Sequence, residues 1–183
     1  TMNTFLGTTA TFSPAELDPG AIAQASYTYI EGYLVSSPTG QQAALAARDL
    51  AQASAQKVSL SLSDPNMVRF FKPQLLEIIG NGIDLIFANE YEALELGETD
   101  RLEDAISYLK TLTHSFAITR GSKGSIVYDG TDLTEIAPTP VKAIDTVGAG
   151  DMYAGGVLYG ITHGFSLAEA GMLGSRASAE LVT

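Results

Sequence analysis

Apolar residues along the chain fall into short β-branched runs, separated by longer stretches in which they recur every three or four positions. The runs predict strands over residues 1–6, 27–35, 58–62, 83–88, 115–119 and 125–128. The longer stretches predict helices over 14–25 (broken near Pro19-Gly20), 39–56, 68–79, 90–94, 100–112, 148–162 and from Ser166 onward. Thr39 and Ser166 are residue types that cap helix starts, and Ser166 with Glu169, like Asp100 with Glu103, has capping-box spacing. Helices between successive strands imply right-handed crossovers and a mainly parallel sheet covered on both faces, so the expected fold class is α/β. The runs Ile83-Asp84-Leu85-Ile86-Phe87-Ala88 and Phe116-Ala117-Ile118 have the continuous apolar character of buried strands. Ligands of such sheets sit beyond the carboxyl ends of strands, which directs attention to Asp64, Asn89 and Arg120-Gly121.

Charge and composition narrow the function. At 183 residues the chain suits one domain, 1–183, and its net charge of −11 comes with only ten scattered Lys and Arg residues. A basic stripe for nucleic acid is absent, so any phosphate must be held locally by backbone amides, a metal ion or one or two basic side chains. Without cysteine there is neither a disulfide frame nor a thiolate metal site. No apolar run reaches the ~20 residues of a membrane span, and no basic-then-apolar segment opens the chain, so a cytoplasmic protein is expected. Neither Walker A, HExxH, an EF-hand loop nor a Gly-x-Ser-x-Gly elbow occurs. His114 and His163 fall at predicted helix ends and are read as structural.

The most informative string is Asp145-Thr146-Val147-Gly148-Ala149-Gly150-Asp151, followed by Met152-Tyr153-Ala154-Gly155-Gly156. A helix begins inside it, and its glycines leave the first-turn N–H groups uncovered. Bare amides and the helix dipole together attract an anion such as a transferring phosphoryl group. Asp151, in the first turn, is placed to accept the proton of an attacking hydroxyl. Glycines at 148 and 150 do not continue as a dinucleotide-binding pattern, because Tyr153 holds the last place.

The full string resembles the signature of the ribokinase-like (PfkB) family of carbohydrate and nucleoside kinases. Two further segments fit in order: Asn89-Glu90-Tyr91-Glu92 resembles the family's Asn-x-x-Glu, and Thr119-Arg120-Gly121-Ser122-Lys123-Gly124 resembles its Thr-x-Gly-x-x-Gly. Residues 29–38 and 84–90 look most like the adenosine-kinase-like branch. The resemblance implies a three-layer αβα domain and an ATP-dependent phosphotransferase using Mg²⁺ on a sugar or nucleoside hydroxyl. Asp151 would be the base, with Gly148, Ala149 and Gly150 as the anion hole. Asn89, Glu92, Thr119, Gly121, Gly124 and Thr146 would lie along the nucleotide, with Glu92 acting indirectly on Mg²⁺. Arg120 and Lys123 are not fixed by the pattern and are read as solvated. Asp145, with the carbonyl of Val147, resembles a position that holds a monovalent cation such as K⁺; tying down the loop through backbone amides is an equal alternative. A catalytically inactive nucleotide- or sugar-binding module of the same fold is the competing reading, and the intact Asp151 weighs against it.

Relatives run to about 300 residues or more, so the chain is expected to be a fragment lacking the N-terminal substrate elements, the lid through which relatives often pair as homodimers, and the C-terminal end. Because phosphoryl transfer rests on positioning and water exclusion, the 183-residue chain alone is expected to show little or no kinase activity. ADP release by the purified chain measures this, and substantial turnover would contradict it.

Overall fold

A computed structural model describes residues 7–183; the strand expected over 1–6 lies outside the described residues. Six strands form one sheet in sequence order: β1 (Tyr27–Glu31), β2 (Lys57–Ser61), β3 (Ile83–Asn89), β4 (Thr113–Thr119), β5 (Ser125–Tyr128) and β6 (Leu133–Ile136). The first four run parallel, and β5 and β6 return antiparallel. Helices α1 (Pro19–Gln24), α2 (Pro38–Ala53), α3 (Pro65–Ile79), α4 (Glu90–Gly97) and α5 (Leu102–Leu112) occur before β4, and α6 (Ala149–Thr162) and α7 (Leu167–Leu181) after β6.

Strand alternation divides the core into two. Ile86, Ala88, Phe116, Ile118 and Ile126 pack with apolar residues of α2 to α5. Their alternate neighbours Leu85, Phe87, Ala117 and Val127 pack with Tyr153, Ala154, Val157 and Ala170 of α6 and α7. The result is the expected three-layer αβα arrangement, with strands buried on both faces as their unbroken apolar runs require.

The departures from expectation have local causes. β1 stops at Glu31 and the chain enters a 3-10 turn, Gly32–Ser36, instead of running on to residue 35. A Cβ at Gly32 would lie 2.6 Å from the Ser61 carbonyl oxygen, so the backbone there presses on the end of β2 and cannot remain a flat strand. The cap of α2 is Ser37, whose hydroxyl accepts from Gly40 N at 3.0 Å; Thr39 is already inside the helix, because Pro38 suits its first position. Asp64 caps α3 by accepting from Asn66 N at 2.7 Å, starting that helix three residues early. The Asp100–Glu103 box does not form. The helix begins one residue later, at Leu102, which leaves Asp100 outside the cap. The Ser166–Glu169 box forms as expected, with Ser166 N donating to Glu169 Oε2 at 2.9 Å. β6, a four-residue edge strand in which only Ile136 is buried, was not expected.

Small residues let α6 and α7 approach closely. A Cβ at Gly156 would lie 2.7 Å from Gly174 Cα, and one at Gly174 would lie 2.6 Å from the Tyr153 carbonyl oxygen. Gly174→Ala should therefore cost about 1–3 kcal/mol of stability by overpacking. Gly155 faces open space, so Gly155→Ala should gain up to about 1 kcal/mol from helix propensity. Urea unfolding of the two variants checks both signs.

Candidate functional site

The connection from β6 to α6, residues 137–148, decides how the helix starts. Gly148 adopts φ 80°, a left-handed conformation that glycine accepts freely, and supplies no side-chain cap. Ala149 N reaches Thr146 O at 3.2 Å, and Met152 N reaches Gly148 O at 2.9 Å. The N–H groups of Gly150 and Asp151 have no acceptor among the described residues. Two of the orphan donors of a helix start are thus left for an anion, at the positive end of the dipole. Asp151 is exposed in this first turn.

Three bonds hold the tip. Asp145 Oδ1 accepts from Val147 N at 3.0 Å, the loop-tying arrangement; Ile144 N donates to Val182 O at 2.7 Å; and Ser178 Oγ donates to Ala149 O at 2.7 Å.

Beside the tip lies a cleft of about 470 Å³. Thr119, Gly121 and Gly124 form one wall and Thr146, Ala149 and Gly150 the other. Its remaining lining is largely apolar, from Pro138, Val141, Ala179 and Val182. Six of the residues singled out from the sequence therefore share one cleft, with Gly148 and Asp151 at the same helix tip. The apolar wall and Ser178 were not anticipated. They belong to an irregular segment and to a helix face whose small residues carry no chemical signature. A Cβ on Gly124, at φ 85°, would strike the Ile136 carbonyl, so the turn requires glycine. Arg120 and Lys123 are not free: Arg120 Nη1 lies 3.8 Å from Glu135 and Lys123 Nζ 3.5 Å from Glu90.

Asn89 and Glu92 are neighbours of this cleft and do not line it. Asn89 is paired with Thr119 across β3 and β4. With Glu92 it makes a capping box at the start of α4: Asn89 N donates to Glu92 Oε2 at 2.8 Å, Asn89 Nδ2 to Oε1 at 2.7 Å, and Glu92 N to Asn89 Oδ1 at 2.9 Å. Carboxylates converge on this edge. Burial raises the Tyr33 hydroxyl pKa, and the charges of Asp64, Glu92, Glu31 and Asp151 raise it further. Among the described residues no group of three or more His, Asp or Glu is arranged to hold a metal, and no helix is long and apolar enough to cross a membrane.

Glu92 is only 4% exposed. Desolvation pushes its pKa up to about 7, against the lowering effect of the Asn89 backbone bond. The native state thus holds a proton that the unfolded chain releases near the usual Glu value, so this group's contribution makes stability fall as pH rises from about 4.5 to about 7. Glu92→Gln, which can retain the box, should flatten that dependence by an amount on the order of 3 kcal/mol. Urea titrations at pH 5 and pH 7.5 measure it.

The chain resembles kinases in both sequence and shape. It is 36% identical to a cytidine kinase of Thermococcus kodakarensis over 112 residues, 59% of this chain and 40% of that protein. It is 31% identical to the uncharacterized sugar kinase YegV of Escherichia coli over 166 residues, 88% of this chain and 50% of that protein. Among solved structures, adenosine kinase from Sinorhizobium meliloti superposes with a TM-score of 0.91 at 33% identity, covering 94% of this chain and 54% of that one. A probable sugar kinase from Rhizobium etli CFN 42 gives 0.91 at 31% identity, covering 94% and 53%. The chain spans half or less of the length of these two curated relatives. The profile of the pfkB family carbohydrate kinases matches residues 1–183, and the chain belongs to that family.

Proposed function

We propose that the intact protein transfers the γ-phosphate of ATP to a primary hydroxyl of a sugar or nucleoside, with Asp151 as the proton acceptor. The observation that carries this reading is the uncapped start of α6. Two unpartnered amides, at Gly150 and Asp151, meet an exposed carboxylate at the edge of a cleft large enough for a nucleotide. As the substrate oxygen attacks the γ-phosphorus, its proton passes to Asp151 and the bond to the bridging oxygen of ADP breaks. The Gly150 and Asp151 amides stabilise the charge that gathers on the transferring oxygens. Gly121 and Gly124, lacking side chains, let backbone approach the phosphates, and the apolar wall at Pro138, Val141, Ala179 and Val182 suits a flat nucleobase.

Mg²⁺ would supply positive charge that offsets the charge of the phosphates. The chain fits such an ion in a limited way. Both Glu92 oxygens already accept from Asn89, so Glu92 would act on the ion only through water. Asp145 and the Val147 carbonyl form our candidate edge of a monovalent-cation site. Relatives named for cytidine, adenosine and sugar substrates bound the acceptor class. Those names support a sugar or nucleoside as the small-molecule partner.

Asp151→Asn in the intact protein should lower kcat by about 10²–10⁴-fold while ATP affinity stays within a few-fold. ADP release over a panel of ribose, fructose, adenosine and inosine reads both effects and names the acceptor. An unchanged rate would remove Asp151 from the mechanism.

A further inference from the structure

The two walls of the cleft come from distant parts of the chain, and one buried polar contact joins them. Tyr153, two residues beyond Asp151 on α6, is 3% exposed, and its ring lies in the core with Leu85, Phe87 and Val127. Its hydroxyl donates to Ser125 Oγ at 2.8 Å, and Ser125 is 2% exposed. Ser125 is the first residue of β5, directly after the Gly121–Gly124 turn. Burial pushes the Tyr153 hydroxyl up to about 12, partly offset by the bond to Ser125, so it remains a donor across the neutral range.

Apolar packing alone does not explain this hydroxyl. A phenylalanine ring would fill the same space, and its contacts would tolerate a small slide of α6 along β5. A hydrogen bond is directional and fixes the separation of its partners to a few tenths of an ångström. Gly171, whose Cβ would stand 3.3 Å from the Tyr153 hydroxyl, leaves that oxygen room on the α7 side.

We infer that Tyr153 and Ser125 form a positioning pair that sets the spacing between the α6 amides and the Gly121–Gly124 turn, and so determines how well the site holds the phosphates of a nucleotide. This rests on the kinase reading above. Neither side chain needs to touch the reacting atoms.

The experiment compares Mg²⁺–ATP and adenine binding, by calorimetry, in the intact protein and in Tyr153→Phe, Ser125→Ala and the double variant, with urea unfolding of each. Tyr153→Phe leaves Ser125 Oγ buried without a donor and should lose stability. The double variant removes both polar groups and should recover most of that loss. ATP affinity should fall about 5–20-fold in Tyr153→Phe and stay low in the double variant, while adenine affinity changes less than about 2-fold, since the apolar wall does not depend on the spacing. Recovery of ATP affinity together with stability, or equal losses for ATP and adenine, would overturn the positioning role and leave the kinase reading standing. Failure of the unaltered protein to bind Mg²⁺–ATP at all would overturn both.

Discussion

The structure depends on a helix start left without a cap. A helix exposes four N–H groups at its beginning, and most helices in this chain answer them with a side chain: Ser37, Asp64, Asn89 and Ser166 each accept from the first turn of their own helix. At α6 the cap is Gly148, which has nothing to offer, and two amides remain open beside a cleft. Such a start is less stable alone than a capped one. The fold maintains it because α6 is held from other directions, by the glycine contact with α7, by Ser178 on the Ala149 carbonyl and by Tyr153 on Ser125. Local instability at the tip is the condition for binding an anion there.

Charge distribution gives the open tip its meaning. The chain is strongly acidic, and Glu31, Asp64, Glu92 and Asp151 all act on the same edge, so a bare phosphate would be repelled without compensating donors. Bringing it in requires local positive potential from oriented amides and from a cation carried with the nucleotide. Glu92 illustrates the tension: its burial favours the protonated form, while its bonds to Asn89 favour the ionised form, which leaves it poised near neutrality. Its partner Asn89 ends β3, caps α4 and pairs with Thr119 on the neighbouring strand, so a structural cap and the margin of the site are one feature.

Much of this was legible from the sequence, and where it was not there are identifiable reasons. Apolar runs located β3 and the middle of β4, because strands buried on both faces are predominantly apolar. The Gly148–Asp151 string located the helix tip, because glycine takes the φ of 80° found there without strain. Helix starts were less accurate. Ser37 and Asp64 each precede a proline, and the proline, more than the apolar period, decides where the turn begins. β6 escaped because edge pairing, not burial, makes it a strand. The apolar wall of the cleft came from Pro138 to Val141 and from α7, elements that meet only through tertiary folding, so no local pattern could report them.

The central claim is that the open amides of Gly150 and Asp151 receive phosphate. Amide chemical shifts of the ¹⁵N-labelled chain, followed in separate titrations with Mg²⁺–ATP and with adenine, measure this directly. The account predicts downfield movement of the Gly150 and Asp151 N–H signals with Mg²⁺–ATP and little movement with adenine, which carries neither phosphate nor an acceptor hydroxyl. Nucleotide binding that leaves those two signals in place, or moves them equally with adenine, would contradict it.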